Sequence, residues 1–192
     1  MKKTLADWLG TFWGVLHAPT RQTFLDEAQK APGKFLSALL WVVFAVMVDA
    51  LGTTLVNGYP LSIGTFGIIF IFAPIGFLCF VFCLDAMNRK IYGASKSRYD
   101  EFLYLITALF VPFMLLTFLL SLIPVAGAYL AWVIWLYPIF LLVQVIRALT
   151  RLKPAQAIIL TALSILLGGT GAVCLPIFLL SLAGLPPSAF GQ

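Results

Sequence analysis

FLSALLWVVFAVMVDALGTTLV, residues 35–56, carries a single ionisable side chain, Asp49. An α-helix needs roughly 20 predominantly apolar residues to cross a hydrocarbon core of about 30 Å, and this run meets that requirement. It stops at the turn-forming Asn57-Gly58-Tyr59-Pro60. The same pattern recurs downstream. Residues 64–87 form a second run that closes on a charged hydrophilic stretch, 102–123 a third with Pro112 at its middle, and 126–146 a fourth that closes on Arg147, Arg151 and Lys153. Only 10% of the residues are charged, 62% are apolar and the mean hydropathy is +1.06, whereas a soluble domain carries about 25% charge. A water-soluble globule is excluded, and so is a transmembrane barrel, whose strands would alternate apolar and polar residues.

Residues 155–185 lack any charge and would reach about 46 Å as one helix, well beyond the hydrocarbon thickness. Gly168-Gly169-Thr170-Gly171 and Pro176 are the expected break points. The expected form is one span over 156–180 with a distorted middle; a re-entrant hairpin is the alternative. The twelve Lys and Arg residues all precede the first span, join the second to the third, or join the fourth to the fifth. Short loops rich in Lys and Arg stay cytoplasmic, so the expected N-terminus is cytoplasmic and the C-terminus outside. The net charge of +5 then reports topology and anionic headgroups and requires no nucleic-acid partner.

Within 1–34, Lys2 and Lys3 followed by an apolar stretch loosely fit a signal peptide. Leu5, Trp8, Leu9, Phe12, Trp13 and Leu16 fall instead on one helical face, which fits a helix lying in the interface with both tryptophans at headgroup depth. Pro19 breaks it, and 20–30 reads as a second, polar helix. The expected fold is all-α: a polytopic transmembrane bundle of five spans (35–56, 64–87, 102–123, 126–146, 156–180) within residues 35–185, preceded by the interfacial helix and followed by a short tail, 186–192.

Ionisable groups inside a membrane are costly and mark candidate sites. Asp49 is the deepest, with Thr53 and Thr54 one turn away as bonding partners in the plainer reading. Asp85, at the end of the second span, stands four residues before Arg89, so a water-facing ion pair accounts for it. Asp100 and Glu101 suit the N-terminus of the third span. Pro74, Pro112, Pro138 and Pro176 each invite a kink. Cys79 and Cys83 lie one turn apart, without the geometry of a disulfide. His17 is the only histidine. No histidine metal cluster, Ser-His-Asp set or phosphate-binding glycine loop can be assembled, so no cofactor and no enzyme activity are expected.

Pro19-Thr20-Arg21-Gln22-Thr23-Phe24, leading into a short polar helix, resembles the opening of prokaryotic members of the Yip1 family. Gly93-Ala94-Ser95-Lys96-Ser97 in the basic loop, Val111-Pro112, Trp135-Leu136-Tyr137, Val145-Ile146-Arg147-Ala148-Leu149 and Lys153-Pro154-Ala155-Gln156-Ala157 are similar to that family's third, fourth and fifth helices and their connections. The resemblance implies an inner-membrane, multi-pass protein. Eukaryotic relatives are trafficking factors that associate with prenylated small GTPases through a longer, Pro- and Gln-rich N-terminal region. This chain departs from them there, so GTPase binding does not carry over. The expectation is a membrane-organising or partner-binding factor working from its cytoplasmic face. Arg89, Lys90, Lys96, Arg98, Arg147, Arg151 and Lys153 would hold anionic lipids or an acidic protein, and further copies of the chain are candidate partners. The competing expectation is a small transporter, channel or lipid-moving protein that uses Asp49 and kinked helices.

Overall fold

The computed structural model describes residues 2–57, 63–93, 98–123 and 126–182. Seven helices and no strand appear among them: α1 (Lys2–His17), α2 (Arg21–Ala28), α3 (Phe35–Asn57), α4 (Ile63–Tyr92), α5 (Tyr99–Ser121), α6 (Ala126–Thr150) and α7 (Pro154–Leu182). Three apolar stretches, Phe35–Gly52, Tyr99–Leu120 and Tyr129–Thr150, are long and apolar enough to cross a membrane, which marks the chain as a membrane protein. The helices α4 and α7 run for 30 and 29 residues, and α4, α5 and α6 continue past Pro74, Pro112 and Pro138.

The centre of the bundle is α5. Half of its apolar window is buried, against 28% for α3 and for α6. Phe102, Leu103, Tyr104, Leu105 and Ile106 are consecutive and all buried, as expected of a helix that is apolar on every side. Against α5 lies α3, whose buried face carries Ala38, Ala45 and Gly52 at seven-residue spacing. Small residues at such an interface let two backbones approach in a lipid setting, where apolar side chains gain little by leaving lipid. A Cβ on Gly52 would stand 2.1 Å from the Phe118 ring. The opposite face of α3 exposes Leu36, Leu40 and Phe44, and α6 exposes Tyr129, Trp132, Val133 and Leu136, a lipid-facing pattern.

Two expectations are corrected by this packing. First, α7 is one continuous helix through Gly168-Gly169-Thr170-Gly171 and Pro176, neither broken nor folded into a hairpin. Gly168 serves close packing instead: a Cβ there would meet Phe80 Cα at 2.9 Å, so the glycine lets α7 lie against α4. Second, the two tryptophans of α1 do not lie together on an open face. Trp8 is 1% exposed and Trp13 is 70% exposed. The buried stripe is Trp8, Thr11, Phe12 and Val15, one edge of the apolar face plus two residues outside it. The Trp8 ring packs on Tyr104 with centroids 4.6 Å apart, and Phe12 packs on Trp41 at 5.3 Å. At its far end, Tyr137 donates to the Leu16 carbonyl at 3.2 Å. Tyr137 precedes the end of α6 by about 20 Å of helix at 1.5 Å per residue, so α1 leans along the bundle.

Candidate functional site

The C-termini of α4 and α6, the N-termini of α5 and α7, and the hairpin of α1 and α2 meet at one end of the bundle, called here the charged end. Thr20 caps α2, its hydroxyl accepting from the Thr23 N–H at 3.2 Å, and Pro19 ahead of it separates the two helices. Gly93, at φ 67°, closes α4 with its N–H on the Arg89 carbonyl at 3.1 Å, the usual role of glycine after a helix.

On the side of α2 that faces α1 and α5, the buried charge is matched. Phe24, Glu27 and Ala28 form its buried face, which places a carboxylate among apolar groups. Thr11 donates to Glu27 Oε2 at 2.7 Å, the Tyr104 hydroxyl lies 2.8 Å from Thr11 Oγ1, and Lys30 Nζ bonds Glu27 Oε1. A threonine has one hydroxyl proton; with that proton on the carboxylate, Tyr104 is the donor to Thr11. The chain of bonds thus ties α1, α2 and α5 together. The hydrogen bond to Glu27 holds the Lys30 ammonium above its ordinary pKa, against the opposing effect of burial.

Asp85 and Arg89 form the expected pair, Arg89 Nε to Asp85 Oδ2 at 3.2 Å, but Asp85 does not face water. It is 1% exposed, because its other oxygen accepts the Arg98 N–H at 2.8 Å. Arg98 is the N-cap of α5 and has no side-chain cap of its own, so a carboxylate from α4 satisfies one of the amides left open where a helix begins. The Arg98 guanidinium turns to Glu101 at 3.0 Å. A cleft of about 670 Å³ lies beside this pair, lined by Gln22, Gln29, Arg98, Asp100 and Glu101 among others.

The other side of α2 has no such matching. A second cleft, of about 410 Å³, is lined by Arg21, Phe24, Gln144, Arg147, Ala148, Arg151 and Leu152. Arg147 Nη1 donates to Gln144 Oε1 at 3.1 Å, and its Nε is buried without a hydrogen-bond partner. Arg151 follows the last turn of α6 at φ 59°, with its N–H on the Arg147 carbonyl at 3.1 Å. That left-handed position normally goes to glycine, and a side chain there costs about 1–2 kcal/mol.

The seven basic residues expected to act together therefore divide. Arg89 pairs with Asp85, and Arg98 with Glu101. Arg147 and Arg151 join Arg21 in the second cleft. Lys90 and Lys153 are exposed, and Lys96 lies outside the described residues. Asp49 is half-buried on α3, is not isolated, and lines neither cleft; the Thr53 side chain lies outside the described residues. Cys79 and Cys83 are free thiols. Among the described residues no group of three His, Cys, Asp or Glu side chains is placed to hold a metal ion.

Sequence reasoning did not single out Thr11, Glu27, Tyr104, Gln144 or Arg21. Glu27 had a readable signal, since it shares a helical face with Phe24 and Ala28. Arg21 had none, because its neighbours lie more than a hundred residues away in the chain. Compared with known proteins, the chain matches no family model, no curated protein and no solved structure.

Proposed function

We propose that the chain is a five-span integral membrane protein of the Yip1 type, from a prokaryotic inner membrane, with α3 to α7 as its spans and the charged end in the cytoplasm. On this reading it is a non-enzymatic factor that organises lipid or holds a partner at that face. The observation that carries the reading is the way α1 and α2 fold onto the ends of α5 and α6. They leave two clefts at the charged end whose linings include charged and polar side chains, beneath a bundle whose flanks are apolar. Support for the orientation comes from the basic residues at that end, since short basic loops remain on the cytoplasmic side and meet an anionic leaflet there.

Two measurements on the full chain test it. Single cysteines at Lys90 and Lys153, in a background with the native thiols replaced, are expected to react with an impermeant maleimide only from the cytoplasmic side. Labelling from the outside overturns the orientation. Proteoliposomes are expected to pass no ion flux and scramble no lipid above protein-free vesicles. Flux that disappears in Asp49→Asn replaces this reading with a transporter using Asp49.

A further inference from the structure

Among the cations of the charged end, three arginines line one cleft with no carboxylate among its lining residues. Arg21, Arg147 and Arg151 form no ion pair among the described residues, although acids are near at hand for Lys30, Arg89 and Arg98. Like charges gathered without a counter-ion repel one another, and the arrangement gains only when an anion enters. A buried donor without a partner points the same way: Arg147 Nε is shielded from solvent and unbonded, and such a group in a native fold requires an explanation, an unseen ion being one. Gln144 holds the Arg147 side chain from one edge, so the guanidinium is oriented before any ligand arrives. The C-terminal end of α6 brings Arg151 into the cleft from a backbone conformation that glycine would occupy without strain.

The cations are all arginine, and lysine is absent from the lining. Arginine offers a planar fork of donors that matches the oxygens of a phosphate, which a lysine ammonium does not. At about 410 Å³ the cleft falls within the range of about 300–1,000 Å³ usual for small-ligand sites. Its position favours a lipid source. The apolar window of α6 ends at Thr150, one residue before Arg151, so with α6 as a span the cleft lies where hydrocarbon gives way to headgroups. Phe24 and Ala148 are buried behind the arginines, and the half-buried Leu152 is the apolar side chain beside them that can meet the glycerol and first methylenes below a phosphate.

We propose that this cleft is a binding site for the phosphate of an anionic lipid headgroup, gripped by Arg21, Arg147 and Arg151. The proposal rests on the reading that the charged end faces an anionic leaflet, and it deepens that reading from a basic surface to one site with named ligands. Lys90 and Lys153 then contribute only to the general field.

The test is native mass spectrometry of the full chain released from a neutral detergent in the presence of phosphatidic acid and phosphatidylcholine, repeated with inorganic phosphate added. Wild type is expected to prefer phosphatidic acid. Arg147→Gln and the exposed Arg21→Gln are each expected to weaken its binding by about tenfold, the worth of one charge-assisted contact. Lys90→Gln and Lys153→Gln are expected to stay within about twofold, as rim charges do. Arg147→Lys, which keeps the charge and loses the fork, should bind more weakly than wild type. An equal loss in all the neutral variants overturns the site while leaving the basic face standing. No preference in wild type overturns both. Displacement of the lipid by inorganic phosphate at comparable concentration reassigns the cleft to a soluble phosphate and overturns the lipid assignment.

Discussion

The two sides of α2 contain similar chemistry put to opposite uses. Toward α1 and α5, Glu27 is met by Lys30 and Thr11, and Thr11 by Tyr104. Toward α6, Arg21, Arg147 and Arg151 share a cleft with no acid in its lining. A polar group whose partners lie within the fold contributes to stability, because removing one partner strands the others at a cost of about 1–3 kcal/mol. A group whose partner is missing contributes little to stability and is free to bind. The difference therefore divides the charged end into a closed half that fastens the N-terminal helices and an open half that meets a ligand.

The largest effect is expected in the apolar part of the closed half. Trp8→Ala removes a side chain that is almost fully buried and should cost about 3–5 kcal/mol, read as a shift in SDS-titrated unfolding. Trp13→Ala on the exposed face should stay within about 0.5 kcal/mol. Equal effects at the two tryptophans would return α1 to the surface. Next comes Glu27→Ala, expected to destabilise by about 1–2 kcal/mol through loss of the bonds from Thr11 and Lys30, while Thr11 keeps the Asp7 carbonyl as an acceptor at 3.0 Å; a neutral result would dissolve the distinction between the two halves.

A smaller effect follows from pH. Lys30 has a raised pKa in the folded chain, with the Glu27 hydrogen bond as the leading cause. Its contribution is fully present below the unfolded value of 10.5 and is lost as pH rises through the higher folded value. Wild type should thus lose stability at the alkaline end more steeply than Lys30→Met, measured by the same unfolding titration from neutral to strongly alkaline pH. Parallel curves for the two proteins would remove the ion pair from the closed half's fastening. In the open half, Arg147→Gln removes a buried donor that has no partner, so stability should stay unchanged or rise by about 1 kcal/mol.

Much of this was legible in the chain. The apolar runs beginning at 35, 64, 102, 126 and 156 return as α3 to α7, since their apolar length is itself the signal. Thr20 and Pro19 announced α2. What escaped was which edge of an apolar stripe meets protein. Trp8 and Trp13 are equally apolar in sequence, and lipid and protein core are solvents too alike for periodicity to separate them. Spacing likewise gave Asp85 its Arg89 pair and was silent on the Arg98 amide, which comes from the next helix. Gly168 of α7 read as part of a break and turned out to permit contact with Phe80. The basic cleft needed the folded chain, because Arg21 meets Arg147 only when α2 lies across the end of α6.

Arg151 offers the most direct trial of the division between the two halves, because the same residue should cost stability and contribute to binding. In Arg151→Gly the strain at φ 59° is relieved and one ligand of the cleft is lost. Unfolding and phosphatidic acid binding should be measured on the same preparation of this variant and wild type. The division predicts stability unchanged or raised by up to about 1 kcal/mol, with clearly weaker lipid binding. Lower stability with lipid binding intact would contradict it, and would make Arg151 part of the fold's own fastening.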